Sequence, residues 1–144
     1  MRPYADSSFV VALLVAERNT DRAWTWLDAN EATVQFSRLT ELEVVATFHR
    51  LRVTNEITPK EYSGLRLRLE QMVLGSRRAT PSQRLYPEAI RLIDHFSEGF
   101  ACKSLDVLHV ASARVMRAEV FLTFDDQQMR LAASAGLKVQ PAVS

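Results

Sequence analysis

Residues 119–140, EVFLTFDDQQMRLAASAGLKVQ, hold the passage on which the fold turns. Residues 119–124 (EVFLTF) read as a strand, 125–135 as a helix that Gly136 stops, and 137–140 as a further strand. Strands that alternate with helices imply a mostly parallel sheet covered on both faces. Sites in such folds lie at the carboxyl ends of strands, where the chain leaves the sheet. Asp125 closes the strand 119–124, and Asp6 closes an earlier one at residues 2–6. Each stands immediately before a helix, so both are expected to project at the same sheet edge.

Outward from that passage the alternation continues. Ser7-Ser8 open a buried helix over 9–17, and Asn19-Thr20-Asp21 begin a second that carries Trp24, Trp26 and Leu27, with Trp24 assigned to the core. Residues 32–37 (ATVQFS) alternate and read as the second strand, followed by a long helix over 39–53. Thr58-Pro59 start another helix, with Tyr62, Leu65, Leu69, Met72 and Val73 at helical spacing and an end near Gly75. A short irregular strand is expected at 79–83, and helices at 87–96 and 104–118.

The chain has 144 residues, which suits a single domain over 1–144, and its 47% apolar and 24% charged content is that of an ordinary globular protein. A net charge of +1 argues for neither nucleic acid nor membrane, but the distribution is uneven. From Arg50 to Arg91 there are nine basic residues against four acids, a local +5, while the other parts of the chain sum to −4. That split places a basic wall beside an acidic pocket, which suits a polyanion held near a metal, although a solvated helical surface has the same composition. Cys102 is the only cysteine, so no intrachain disulfide is expected and a reducing cytoplasm is the simplest home. The apolar run 9–16 is far shorter than the ~20 residues of a membrane helix, and no signal peptide is read at its start. Four glycines leave no Gly-rich loop, which removes P-loop and dinucleotide-binding readings.

Four acids stand out. Asp106 lies in the first turn of its helix, inside Leu105-Asp-Val-Leu-His-Val-Ala, where an unpaired buried carboxylate would be costly. Glu41 and Glu43 are two positions apart on one helix, point to nearly opposite sides, and cannot both join a cluster. The neighbouring apolar positions do not choose between them. With Asp6 and Asp125 these acids can converge on one end of the sheet, a repulsive arrangement that a cation relieves. Hard oxygen ligands favour Mg²⁺ or Mn²⁺. The competing reading is structural: an Asp before a helix is a common cap, and Asp125 with Gln128 resembles a capping box.

Tyr4-Ala-Asp-Ser-Ser has the form of a strand ending in Asp followed by Ser or Thr. In Ser37-Arg-Leu-Thr-Glu-Leu-Glu-Val a Glu follows a Ser by six positions. Leu105-Asp-Val-Leu-His-Val-Ala-Ser-Ala and Leu122-Thr-Phe-Asp complete the order. Together these motifs make the whole chain resemble a PIN domain, specifically the VapC-like toxin nuclease of a type II toxin–antitoxin pair. The resemblance selects Glu43 over Glu41 and Asp125 over Asp126. It implies a three-layer α/β/α domain whose mostly parallel central sheet has four to five strands, and Mg²⁺- or Mn²⁺-dependent endoribonuclease activity. Asp6, Asp106 and Asp125 are then ligands, direct or through water, and Glu43 is a ligand or a base that orients water. Ser7 and Thr123 would fix the carboxylates, unless they merely cap backbone, and His109 is a packed or supporting residue. Candidate RNA contacts are Arg50, Arg52, Arg66, Arg68, Arg77 and Arg78, with Arg84 beside them. The implied partners are a cognate antitoxin, the RNA substrate and a second copy in a homodimer, with no membrane. A non-catalytic PIN-like domain that binds RNA or protein is the alternative. A haloacid-type phosphohydrolase is disfavoured, because Ser8 stands where its second Asp is needed.

Overall fold

The computed structural model describes residues 2–76, 82–96, 101 and 103–142. In chain order the elements are β1 (Pro3–Ala5), α1 (Ser7–Leu14), α2 (Thr20–Asn30), α3 (Arg38–Val53), α4 (Pro59–Gly75), α5 (Leu85–His95), α6 (Ser104–Val115), β2 (Val120–Leu122), α7 (Asp126–Ser134) and β3 (Lys138–Gln140). The strands are parallel in the order β1-β2-β3. Pro3, Tyr4 and Ala5 stand opposite Val120, Phe121 and Leu122, which in turn face Lys138, Val139 and Gln140. Helices end where local chemistry dictates. Thr58 and Glu61 form a reciprocal capping box ahead of Pro59. Gly136 takes φ 86° just past α7, a left-handed conformation open to glycine at little cost.

Alternation along the strands divides the interior into two cores. Ala5, Val120 and Leu122 face α1 to α4, packing with Phe9, Leu13, Val44, Phe48 and Leu69. Tyr4 and Phe121 face the other way, among Leu92 of α5, Val107 and Val110 of α6 and Leu131 of α7. The three layers expected from the sequence are therefore present, helices on each side of a parallel sheet.

Among the described residues the sheet has three strands, not the four to five expected. Residues 32–37 form no strand: Gln35 makes a single parallel bridge to Tyr4, through Ala5 N to Gln35 O at 2.8 Å and Gln35 N to Pro3 O at 2.9 Å. The reason is local. The chain arrives from a left-handed residue at Glu31 (φ 46°), which ends α2, and is already turning into α3 at Ser37, whose hydroxyl caps it. Only the middle of the segment has room to pair. The strand expected at 79–83 lies mostly outside the described residues, and Ser82 and Gln83 are not in a strand. Trp24 is also misplaced by the sequence reading. It is 43% exposed on α2, its Nε1 donating to Leu13 O at 3.3 Å, while Trp26 packs edge-on against Phe9. Among the described residues no helix is long and apolar enough to cross a membrane.

Glu88 ties three helices on the far side of the sheet. Its Oε1 accepts from Arg91 Nη2 and Arg114 Nε, both at 2.7 Å, and Arg114 Nη1 continues to Ala135 O at 2.7 Å, past the end of α7. The Arg91 hydrogen bond, helped by Arg114, lowers the Glu88 carboxyl to about 2 against the opposing effect of burial. A folded-state value below the unfolded one adds stability that is fully present above the unfolded value and lost as pH falls toward about 2. Glu88→Gln should therefore lower the thermal midpoint by ~3 °C at pH 7, for a loss of about 1 kcal/mol. The gap from wild type should close as pH is taken from 5 to 2.5, which thermal unfolding monitored by circular dichroism will read.

Candidate active site

Because Ala5 stands opposite Leu122, the residues that follow each strand, Asp6 and Thr123, are neighbours at the carboxyl edge of the sheet. Asp6 is 2% exposed and caps α1. Its Oδ1 accepts from Ser8 Oγ at 2.7 Å and Phe9 N at 3.2 Å, and its Oδ2 accepts from Thr123 Oγ1 at 2.5 Å. Burial raises the Asp6 carboxyl, against the charge of His109 and these hydrogen bonds, which lower it. Thr123 Oγ1 also accepts from Asp125 N at 3.0 Å, and Ser8 Oγ from Phe124 N at 2.9 Å. Two hydroxyls thus join β1 to the turn after β2.

Asp125 caps α7, its Oδ1 accepting from Gln128 N at 2.9 Å, as the structural reading of the sequence requires. The Gln128 side chain does not complete a capping box. It is buried and turns to Asp106, donating from Nε2 to Oδ1 at 3.4 Å, while its own Oε1 has no hydrogen-bond partner among the described residues. Asp106 is half-buried in the first turn of α6. Burial raises its carboxyl; Asp125 and Glu43 raise it further, and His109 and Lys103 oppose them.

Glu43, on α3, accepts a hydrogen bond at Oε1 from His109 Nε2. Burial would raise this carboxyl, but the His109 hydrogen bond and charge, with a hydrogen bond from Ser7, bring it below its ordinary value. Glu41 faces elsewhere, into a groove between α3 and α4 beside Val45, Tyr62, Arg66 and Val73. His109 is buried between Glu43 and Tyr4, with Nδ1 2.8 Å from the tyrosine hydroxyl.

Three of the predicted acids therefore belong to one set of hydrogen-bonded neighbours, Asp6 to Asp125 through Thr123 and Asp125 to Asp106 through Gln128, while Glu43 is bonded to His109, on the same helix as Asp106. Thr123 donates to Asp6, and Ser7 is hydrogen-bonded to Glu43. Ser8, Gln128 and Tyr4 escaped the sequence reading. The predicted arginines are occupied differently. Arg68 Nη1 donates to Leu14 O at 3.1 Å, Arg66 donates to the Tyr62 hydroxyl at 2.9 Å, and Arg52 lies over the Tyr62 ring at 5.4 Å. Arg50 is exposed in the last turn of α3, while Arg77 and Arg78 lie outside the described residues. A cation not foreseen, Arg22 of α2, lies 5.3 Å from the centroid of Phe124, next to Asp125.

The donor set fits a hard divalent cation in its chemistry. Its reachable atoms are carboxylate oxygens with a buried, unmatched amide oxygen beside them, and their mutual repulsion is felt at Asp106. Among the described residues no three acidic, His or Cys side chains close on one point as a ready-made cage. An ion that keeps several of its waters needs only one or two carboxylates directly.

Thr123→Val tests the joint at Asp6. It keeps the side-chain shape and leaves a buried carboxylate oxygen without its donor, so unfolding in urea should show a loss of about 1–3 kcal/mol. Ser8→Ala should have an effect of the same sign.

Comparison with known proteins places this geometry. Residues 4–134 match the PIN domain family. No curated protein is similar enough in sequence to match. FitAcB from Neisseria gonorrhoeae superposes with a TM-score of 0.71 at 19% identity, over 95% of this chain and 95% of that one. VapC20 from Mycobacterium tuberculosis, a sarcin-ricin loop cleaving toxin, gives 0.69 at 16% identity over 96% and 99%. VapBC2 from Rickettsia felis, bound to a DNA fragment from its promoter, gives 0.71 at 13% identity over 97% and 98%. At such identities the structural likeness is one of fold, and it agrees with a sequence match that spans nearly the whole chain: the protein belongs to the PIN domain family.

Proposed function

We propose that this protein is a Mg²⁺- or Mn²⁺-dependent endoribonuclease that hydrolyses RNA phosphodiester bonds as the toxin of a type II toxin–antitoxin pair. The observation that carries the reading is the joining of Asp6, Asp125 and Asp106 by Thr123 and Gln128 at the carboxyl edge of a parallel sheet, with Glu43 bonded to His109 on the Asp106 helix. Asp6, Asp106 and Asp125 would hold the ion, with Glu43 as ligand or water-orienting base. When bound, the ion supplies stabilisation of the charge that develops on phosphate oxygens. The protein's own part is to fix the carboxylates. Thr123 and Ser8 orient Asp6, Gln128 orients Asp106, and Glu43, held ionised, takes a proton from the attacking water.

The toxin role follows the relatives of like fold, of which VapC20 is a sarcin-ricin loop cleaving toxin and VapBC2 occupies promoter DNA. A cognate antitoxin is the corresponding partner, and a cytoplasmic site suits the lone cysteine. Tyr86, Ile90 and Ile93 form an exposed apolar stripe on α5, which supports a homodimer through that face. Arg22, which lies over the Phe124 ring and donates to Ala142 O at 3.1 Å, joins Arg50 and Arg52 as a proposed phosphate contact.

Asp6→Asn and Asp106→Asn should each lower cleavage of structured RNA by at least ~100-fold, and a chelator should abolish it in wild type. Cleavage unchanged in both variants would leave Asp6 and Asp125 as helix caps only and favour the non-catalytic reading. Arg22→Glu should weaken RNA binding, measured by filter retention, and reduce the slope of log affinity against log salt by about one.

A further inference from the structure

We propose that Tyr4 and His109 are positioning residues that hold Glu43 through Oε1 and so set the angle at which its carboxylate works. The assignment rests on the nuclease reading only for what Glu43 then does; the grip itself is a property of the folded chain.

His109 sits on α6, 1% exposed, with a polar partner at each ring nitrogen. Nε2 meets Glu43 Oε1, and Nδ1 lies 2.8 Å from the Tyr4 hydroxyl. A half-turn of the ring would set carbon against both partners, so its orientation is fixed. An ionised carboxylate only accepts, so Nε2 carries a proton. The rest of the order follows from Thr40. Its hydroxyl donates to Ala5 O at 3.1 Å, and its backbone N donates to Ser37 Oγ at 3.2 Å. Ser37 Oγ is 2.8 Å from the Tyr4 hydroxyl. For a neutral imidazole each proton then has one place: Ser37 donates to Tyr4, Tyr4 donates to Nδ1, and Nε2 donates to Glu43. Such a run of bonds polarises in one direction and holds its terminal acceptor more firmly than a lone pair would.

The run begins and ends on the same helix. Ser37 is the residue that caps α3, and Glu43 lies six positions further along it. The path between them passes out through β1 and α6 and returns. This gives a physical reason for a serine six residues before the glutamate: one anchors the network and the other receives it. A third hydroxyl, Ser7, adds a hydrogen bond to the same carboxylate. Together these bonds hold the carboxylate at one angle, the arrangement suited to accepting a proton from a water.

Tyr4→Phe removes one oxygen from the run and keeps the ring that lies 5.5 Å from Phe121. In RNA cleavage it should lower kcat about tenfold with KM within about twofold, the loss typical of an outer partner of a site carboxylate. His109→Gln, whose amide can donate as Nε2 does, should retain clearly more activity than His109→Ala. A second readout needs no turnover. Imidazole ¹⁵N spectra of the metal-free protein should show His109 protonated at Nε2, and Tyr4→Phe and Glu43→Gln should each displace its signals. If the wild type cleaves no RNA, the nuclease reading fails while the ¹⁵N spectra still decide the grip. Unchanged kcat in both Tyr4→Phe and His109→Ala overturns the proposal. So do His109 signals that ignore Glu43→Gln, and the last comparison stands even if Tyr4→Phe does not fold.

Discussion

The hydrogen bond from Thr123 Oγ1 to Asp6 Oδ2, at 2.5 Å, crosses from the turn after β2 to the turn after β1. Asp6 lies almost wholly out of water, where an unpaired carboxylate is untenable. Thr123 and Ser8 make it tenable in the same way. Each hydroxyl donates its one proton to Asp6 and accepts from the backbone that leads into α7. The Asp6 carboxylate therefore fixes the start of α1 and, through two hydroxyls, the approach to α7.

That bond in turn requires the register of β1 on β2. A slip of one residue would carry Tyr4 and Phe121 to the opposite face and exchange the two cores. Both cores resist it. On one face Phe9, Val44 and Phe48 pack around Ala5 and Leu122, and on the other Tyr4 and Phe121 fit among α5, α6 and α7. Tyr4 is the residue where packing and polarity meet. Its ring belongs to the second core, yet its hydroxyl is within hydrogen-bond reach of Ser37, Thr40 and His109. Three short strands suffice for this, because pairing needs only to align the last residues before the site.

Much of the fold could be read from the sequence because its signals are local. Thr58-Pro59, Gly136 and the strand–helix–strand of 119–140 each announce an element through near neighbours. The acids at strand ends were readable for the same reason, since a parallel sheet dictates where Asp6 and Asp125 go. What escaped depends on partners far along the chain. Ser8 meets Phe124, Gln128 meets Asp106, and Tyr4 meets His109, 105 positions away. Nothing in Ser7-Ser8 says which serine turns back to Asp6. Glu43 was separable from Glu41 only by resemblance, and the structural reason, a histidine on α6, lies 66 positions off. Charge counting also treats each arginine as free, whereas Arg68 closes the end of α1 and Arg66 is bound to Tyr62. The second strand read at 32–37 had the right composition, but the turns at its two ends left it no length to pair.

Capping and ligation are usually weighed as rival explanations for an Asp ahead of a helix, yet one carboxylate has acceptor sites enough for both. Capping engages Asp125 through Oδ1 and Asp6 through an Oδ1 that also accepts from Ser8. Each carboxylate oxygen has two lone-pair sites, so a cap bond sets the rotamer without exhausting the group. A carboxylate fixed in this way is already aimed, and the entropy of orienting it is spent in folding. The cost is visible at Asp106, whose carboxyl is raised first by burial and then by the charges of Asp125 and Glu43, against His109 and Lys103.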